Sequence, residues 1–90
     1  MTKRGRSIDK SIHSAEQAAF CELIKEARRD AGLTQHDVAK RLKKPQSFVA
    51  KYEGGERRID VVEFLAIARA IGADPLGIIR GLMRRHGRRR

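Results

Sequence analysis

Apolar residues along this chain recur mostly three and four positions apart, the period of an amphipathic helix, and no stretch shows the strict alternation of a strand. Phe20, Leu23, Ile24, Ala27 and Ala31 form the first such stripe. Ser14 with Gln17 supplies a capping pair before it and Gly32 a stop after it, which predicts a helix over about 16–31. Val38, Ala39 and Leu42 give a short second helix its buried side, opened by the capping pair Thr34 and Asp37. Pro45 is tolerated in a first helical turn, so a third helix of about 45–53 follows, burying Val49 and Tyr52 and ending at Gly54-Gly55. Asp60 with Glu63 opens a fourth, whose stripe is Val61, Phe64, Leu65, Ala68 and Ile71 and whose stop is Gly72. Asp74-Pro75 reads as cap plus first position of a fifth, carried by Leu76, Ile79, Leu82 and Met83. Gly77 and Gly81 weaken that last helix by about 1 kcal/mol each relative to alanine, so it needs packing to hold it. The expected fold is all-α: a compact five-helix domain over 14–83, with a flexible basic arm at 1–13 and an arginine-rich tail at 84–90.

Composition narrows the function. Ninety residues hold one modest core, and with 4% aromatic residues that core must be built mainly from Leu, Ile, Val and Ala. No apolar run is long enough for a membrane span, and no apolar segment follows the basic start as in a signal peptide. Cys21 is the single cysteine, so no intrachain disulfide is expected and a reduced, cytoplasmic setting is the default. The net charge of +10 is unevenly spread: +3 on residues 1–13, +6 on 80–90, and +5 on Lys40 to Arg58, which leaves the rest of the body acidic. Base concentrated in one internal segment and two tails is the pattern of a polyanion binder; a solvated surface with solubilising tails is the bland alternative.

The basic internal segment contains KKPQSFVAKYEGG, residues 43–55. Two short helices joined by Lys43 and Lys44 form a helix-turn-helix unit, whose second helix enters the major groove by its leading end. That end carries Gln46, suited to the adenine edge, and Ser47, which pairs with several bases. Phe48 either meets a thymine methyl or packs partly buried, and Lys51 reaches phosphate or guanine. Lys43 and Lys44 are candidate phosphate contacts.

The run GLTQHDVAKRLKKPQSFVAKYEGGERRIDVVEFLAIARAIGADP, residues 32–75, resembles the lambda-repressor-like helix-turn-helix domains of bacterial and phage regulators, the Cro/C1 or XRE type. The likeness lies in the LTQ opening, Ala39, the QS-aromatic start of the reading helix, its YEGG end and the FLAIARAIGADP segment. It implies that Gln35 holds a phosphate and braces the reading helix, that Gln46 and Ser47 contact bases, and that Lys51 contacts base or backbone. It further implies that Arg57 and Arg58 sit over phosphates and that Arg28 pairs with Glu53. Pro45 is a less usual cap in that pattern, and the arginine tail is a departure from it.

Helix 5 leaves two readings: its apolar residues close the core, or Ile78 with Leu82 forms an exposed edge for a two-fold dimer contact. Arg4 and Arg6 in one arm and Arg88, Arg89 and Arg90 in the other bind phosphates or a narrow minor groove, or merely solubilise. His13, His36 and His86 are too scattered for a metal site, no phosphate-cradling glycine loop is present, and no nucleophile–base set assembles. Cys21 reads as a small helix residue or, at lower weight, a redox switch. The expectation is a non-enzymatic, sequence-specific binder of double-stranded DNA without cofactor, metal, small-molecule ligand or membrane partner. It would act as a homodimeric repressor on a palindromic operator in a bacterial or phage-infected cytoplasm. The alternatives are an antitoxin-type regulator that also binds a toxin through helix 5 or the tail, and a non-specific module for RNA or anionic membranes. No ligand-binding domain is expected, so control would come from concentration, partners or competing sites.

Overall fold

A computed structural model describes the backbone of residues 2–87 and the side chains of 15–85. Five helices follow one another: α1 (Thr2–Asp30), α2 (Gln35–Leu42), α3 (Gln46–Glu53), α4 (Val61–Ile71) and α5 (Pro75–Gly87). The boundaries follow local chemistry. Thr34 accepts from the Asp37 backbone N–H at 3.0 Å while Asp37 accepts from the Thr34 N–H at 2.9 Å, a complete capping box for α2. Asp60 and Glu63 do the same for α4 at 2.8 and 2.9 Å. Gly72 ends α4 at φ 83°, where a side chain would strain the backbone, and its N–H reaches back to the Ala68 carbonyl. The stop of α2 is unusual: Lys43 takes the left-handed conformation at φ 60° without being glycine.

The first helix starts earlier than its stripe predicts. Its backbone is helical from Thr2, through the stretch expected as an arm, so Ser14 and Gln17 fall inside the helix and do not mark its start. Side chains before Ala15, with Arg4, Arg6 and His13 among them, lie outside the described residues, as do the side chain of His86 and the whole of Arg88, Arg89 and Arg90.

All five helices meet in one core: Ile24 of α1, Val38 and Ala39 of α2, Val49 and Tyr52 of α3, Phe64, Ile67 and Ile71 of α4, and Ile78 of α5. Phe20 and Phe64 hold α1 to α4 with ring centres 5.1 Å apart. Tyr52 is 1% exposed and its hydroxyl has no hydrogen-bond partner among the described residues. That burial pushes its ionisation well above the ordinary tyrosine range.

Two apolar stripes are assigned differently by the fold. In α4, Val61 and Leu65 are exposed, and Ile67 takes a core position beside Phe64, Ala68 and Ile71. In α5 the reversal is nearly complete. Ile78 is buried and Leu82 half-buried, whereas Leu76, Ile79 and Met83 lie on the outside. Ile78 therefore forms no exposed edge, and burying it contributes about 2 kcal/mol. The reason is steric. A Cβ added to Gly81 would sit 3.3 Å from Leu23 Cδ2, so the face with the missing side chain is the one that lets α5 approach α1 closely. Ile78, one turn before Gly81, goes inward with it, and Arg85, one turn beyond, reaches Glu26 of α1 at 3.1 Å.

Candidate nucleic-acid interface

Between α2 and α3 the chain needs only Lys43, Lys44 and Pro45, because Lys43 turns in the left-handed conformation and the Lys44 N–H closes back on the Ala39 carbonyl at 3.0 Å. Pro45 then starts α3 with extended backbone and no side-chain cap. Val49 and Tyr52 face the core, so Gln46, Ser47 and Lys51 point outward, with half-buried Ala50 between them. Ala50 was not singled out by sequence because alanine suits any helix position. Its place among three exposed polar residues leaves a shallow spot in that face.

The outward glutamine is not free to wander. Gln46 Nε2 donates to Gln35 Oε1 at 2.7 Å, and Gln35 Nε2 donates to Glu53 Oε1 at 2.9 Å. Glu53 in turn accepts from Arg28 Nε at 2.7 Å and Nη2 at 3.0 Å, while Arg28 Nη1 donates to the Leu33 carbonyl at 2.8 Å. An ionised carboxylate only accepts, so Gln35 must present its NH2 to Glu53 and its carbonyl to Gln46. One chain of bonds thus runs from buried Arg28 in α1, past both ends of α3, to its exposed first residue. Hydrogen bonding to Glu53 holds the Arg28 guanidinium even more firmly protonated than usual.

On the other flank, Arg57 donates to Glu63 from Nη1 at 3.2 Å and from Nη2 at 3.0 Å, and to the Arg58 carbonyl at 3.0 Å. Its guanidinium lies 4.8 Å from the Phe48 ring centre, and Lys44 Nζ stands 5.4 Å from that same centre. Phe48 is half-buried, edge-on to Tyr52 at 5.5 Å. The Arg57 bonds, then the Asp60 N–H, hold the Glu63 carboxyl below the usual carboxylate range. Arg58 is exposed beside a groove of about 380 Å³ lined also by Phe20, Ile59, Ile79 and Leu82.

Not every base of the Lys40 to Arg58 segment belongs to this face. Arg41 donates to the Ala70 carbonyl at 2.7 Å, closing the last turn of α4. Cys21 is buried, and burial pushes its thiol up, the setting of an inert cysteine. Among the described residues no cluster of metal-ligating side chains forms, and no helix is long and apolar enough to cross a membrane.

Comparison with known proteins agrees with this geometry. A helix-turn-helix family model matches residues 24–78, from the core of α1 into α5. The solved structure of an XRE-family like protein from Pseudomonas syringae pv. tomato str. DC3000 is similar at 47% identity and TM-score 0.80, over 86% of this chain and 94% of that one. The restriction-modification controller protein C.AhdI from Aeromonas hydrophila shares 28% identity at TM-score 0.65, over 71% and 97% of the two chains. The wild-type controller protein C.Esp1396I, at 17% identity and TM-score 0.71 over 77% and 91%, is alike in fold. No curated protein matches. The chain belongs to the helix-turn-helix family of the XRE (Cro/C1) type and is a DNA-binding transcription regulator, not an enzyme.

Proposed function

We propose that this regulator is a repressor that reads a palindromic operator as a homodimer, laying one α3 in the major groove of each half-site. The observation that carries it is the presentation of Gln46: exposed at the start of α3, tethered by Gln35, with its carbonyl and one amide hydrogen still free. Those two groups are what a glutamine needs for the N6 and N7 positions of adenine. Ser47 and Lys51 extend the same face, and Ala50 between them fits a thymine methyl. Gln35, Lys43, Lys44, Arg57 and Arg58 surround it as phosphate contacts. Glu53 is structural, spent on Arg28 and Gln35.

The dimer surface follows the fold: Leu76, Ile79 and Met83 form the exposed apolar stripe of α5 at helical spacing, and replace Ile78 and Leu82 in this role. A dimer joined there reads a palindrome by presenting its two α3 helices to half-sites about 34 Å apart, one helical turn, which is the spacing such a site requires. Acting on DNA, the protein works in a bacterial or phage-infected cytoplasm. Selection of bound duplexes from a random-sequence pool tests the reading; the expected product is a two-fold repeated site containing adenine at the position lost when Gln46 is replaced. Recovery of no consensus, with equal affinity for any polyanion, would favour the non-specific module instead. The basic arms add phosphate contacts in this scheme, so deletion of residues 88–90, beyond the end of α5, should flatten the log–log salt dependence; an unchanged slope removes those three arginines from the interface.

A further inference from the structure

We propose that Glu63 is a positioning residue for DNA binding: it holds the Arg57 guanidinium over Phe48, ready for a backbone phosphate, without itself touching the duplex. The inference rests on the DNA-binding reading but not on the identity of any operator. Three elements converge here. Phe48 belongs to the reading helix, Arg57 to the loop after it, and Glu63 to the first turn of α4. Glu63 grips Arg57 through both carboxylate oxygens, at 3.2 and 3.0 Å, while one of those oxygens also accepts the Asp60 N–H that caps α4 at 2.9 Å. The guanidinium is thereby tied to a helix end and not merely to a glycine-rich loop.

Counting donors shows that the tether does not use Arg57 up. A guanidinium has five N–H groups in a fixed fork. Nη1 spends two, on Glu63 and the Arg58 carbonyl, and Nη2 spends one on Glu63. The Nε–H and the second Nη2 hydrogen remain for a phosphate, and the planar fork suits two of its oxygens. Lys44, from the turn that leads into α3, stands over the same ring. Two cations from opposite ends of α3 are thus gathered at one aromatic residue of that helix, and Glu63 fixes the rigid one. An arginine held in place loses less freedom on binding than one released from a mobile loop.

The sign of one substitution separates this role from that of an ordinary surface acid. A carboxylate beside a polyanion repels it, so removing its charge should tighten binding. If Glu63 positions Arg57, removal should weaken binding. Glu63→Gln keeps a carbonyl that accepts the Asp60 N–H, so the α4 cap survives. Fluorescence anisotropy on a labelled mixed-sequence duplex, across a salt series, reads the result, since phosphate contacts are independent of sequence. The expected outcome is binding weaker by roughly threefold to tenfold, with a salt slope smaller by about one unit, although the variant is one charge more positive. In an Arg57→Ala background the same change should have no further effect. Equal or tighter binding by Glu63→Gln overturns the proposal, and so does an undiminished loss in the Arg57→Ala background, which would mean the effect bypasses Arg57. A wild-type protein that binds no duplex at all would sink the DNA-binding reading itself.

Discussion

Gln46 and Gln35 are joined by a hydrogen bond of 2.7 Å, so the first residue of α3 is locked to the first residue of α2. The lock matters because glutamine is a flexible side chain, and ordering it before binding removes part of the cost of contact. Gln46→Ala should lose about 1–3 kcal/mol on the selected site and relax preference at one base pair. Gln35→Ala should also weaken that site while costing less stability than loss of Glu53, since its bond to Gln46 is exposed and Arg28 still holds the Glu53 carboxylate. Titration of both variants on cognate and base-substituted duplexes checks this. A Gln35→Ala protein with wild-type affinity would show that the lock is idle.

Arg28 and Glu53 are a different case, with side chains only 9% and 2% exposed. Removing one partner strands a buried charge, which costs about 3–5 kcal/mol in comparable sites. Glu53→Ala should therefore cut stability sharply in urea titration. The paired replacement Arg28→Met with Glu53→Leu should recover much of the loss in stability but not DNA affinity, because Gln35 then has no anchor. Recovery of both would separate the ion pair from the reading helix.

The two faces of α5 make opposite predictions. Ile78→Ala should destabilise the fold by about 2–5 kcal/mol, as for other buried aliphatic truncations. Leu76→Ser with Met83→Ser should leave thermal unfolding of the domain near wild type and shift sedimentation from dimer to monomer. A wild-type protein that sediments as a monomer both free and on its selected duplex would defeat the dimer.

Tyr52 offers an inexpensive check on packing. Its hydroxyl is buried without a partner among the described residues, and such a group typically costs about 1–3 kcal/mol. Tyr52→Phe removes the oxygen and keeps the ring against Phe48, so stability in urea should hold or rise. A clear loss would reveal a bond that the hydroxyl makes in solution.

Acid should weaken the fold through two capping carboxylates. Asp37 is held below the usual range by the Thr34 backbone N–H, and Glu63 by Arg57. A carboxyl whose folded pKa is depressed adds stability above its unfolded value, near 4, and loses it as pH falls through the lower folded value. The melting temperature should hold from about pH 7 to 5 and fall below about pH 4. Asp37→Asn with Glu63→Gln should flatten that fall, most visibly at low salt because both groups are exposed. Identical acid profiles for variant and wild type would remove these two groups from the cause.

Sequence alone determined the number and order of the helices, and the starts of α2, α4 and α5, because capping pairs, proline and glycine stops act within a few residues. It also determined which face of α3 is polar, since Val49 and Tyr52 at helical spacing leave Gln46, Ser47 and Lys51 on the other side. Tertiary structure decided what spacing cannot: which of two adjacent isoleucines faces inward. Ile78 and Ile79 are both apolar, and the fold buries Ile78 in the shared core, on the face where Gly81 lies against Leu23. The partner of each charge was likewise a matter of three-dimensional neighbours. Arg41 closes α4 while Arg57 lies over Phe48, because a local pattern records that a residue is basic but not which carbonyl, carboxylate or ring the fold will bring beside it.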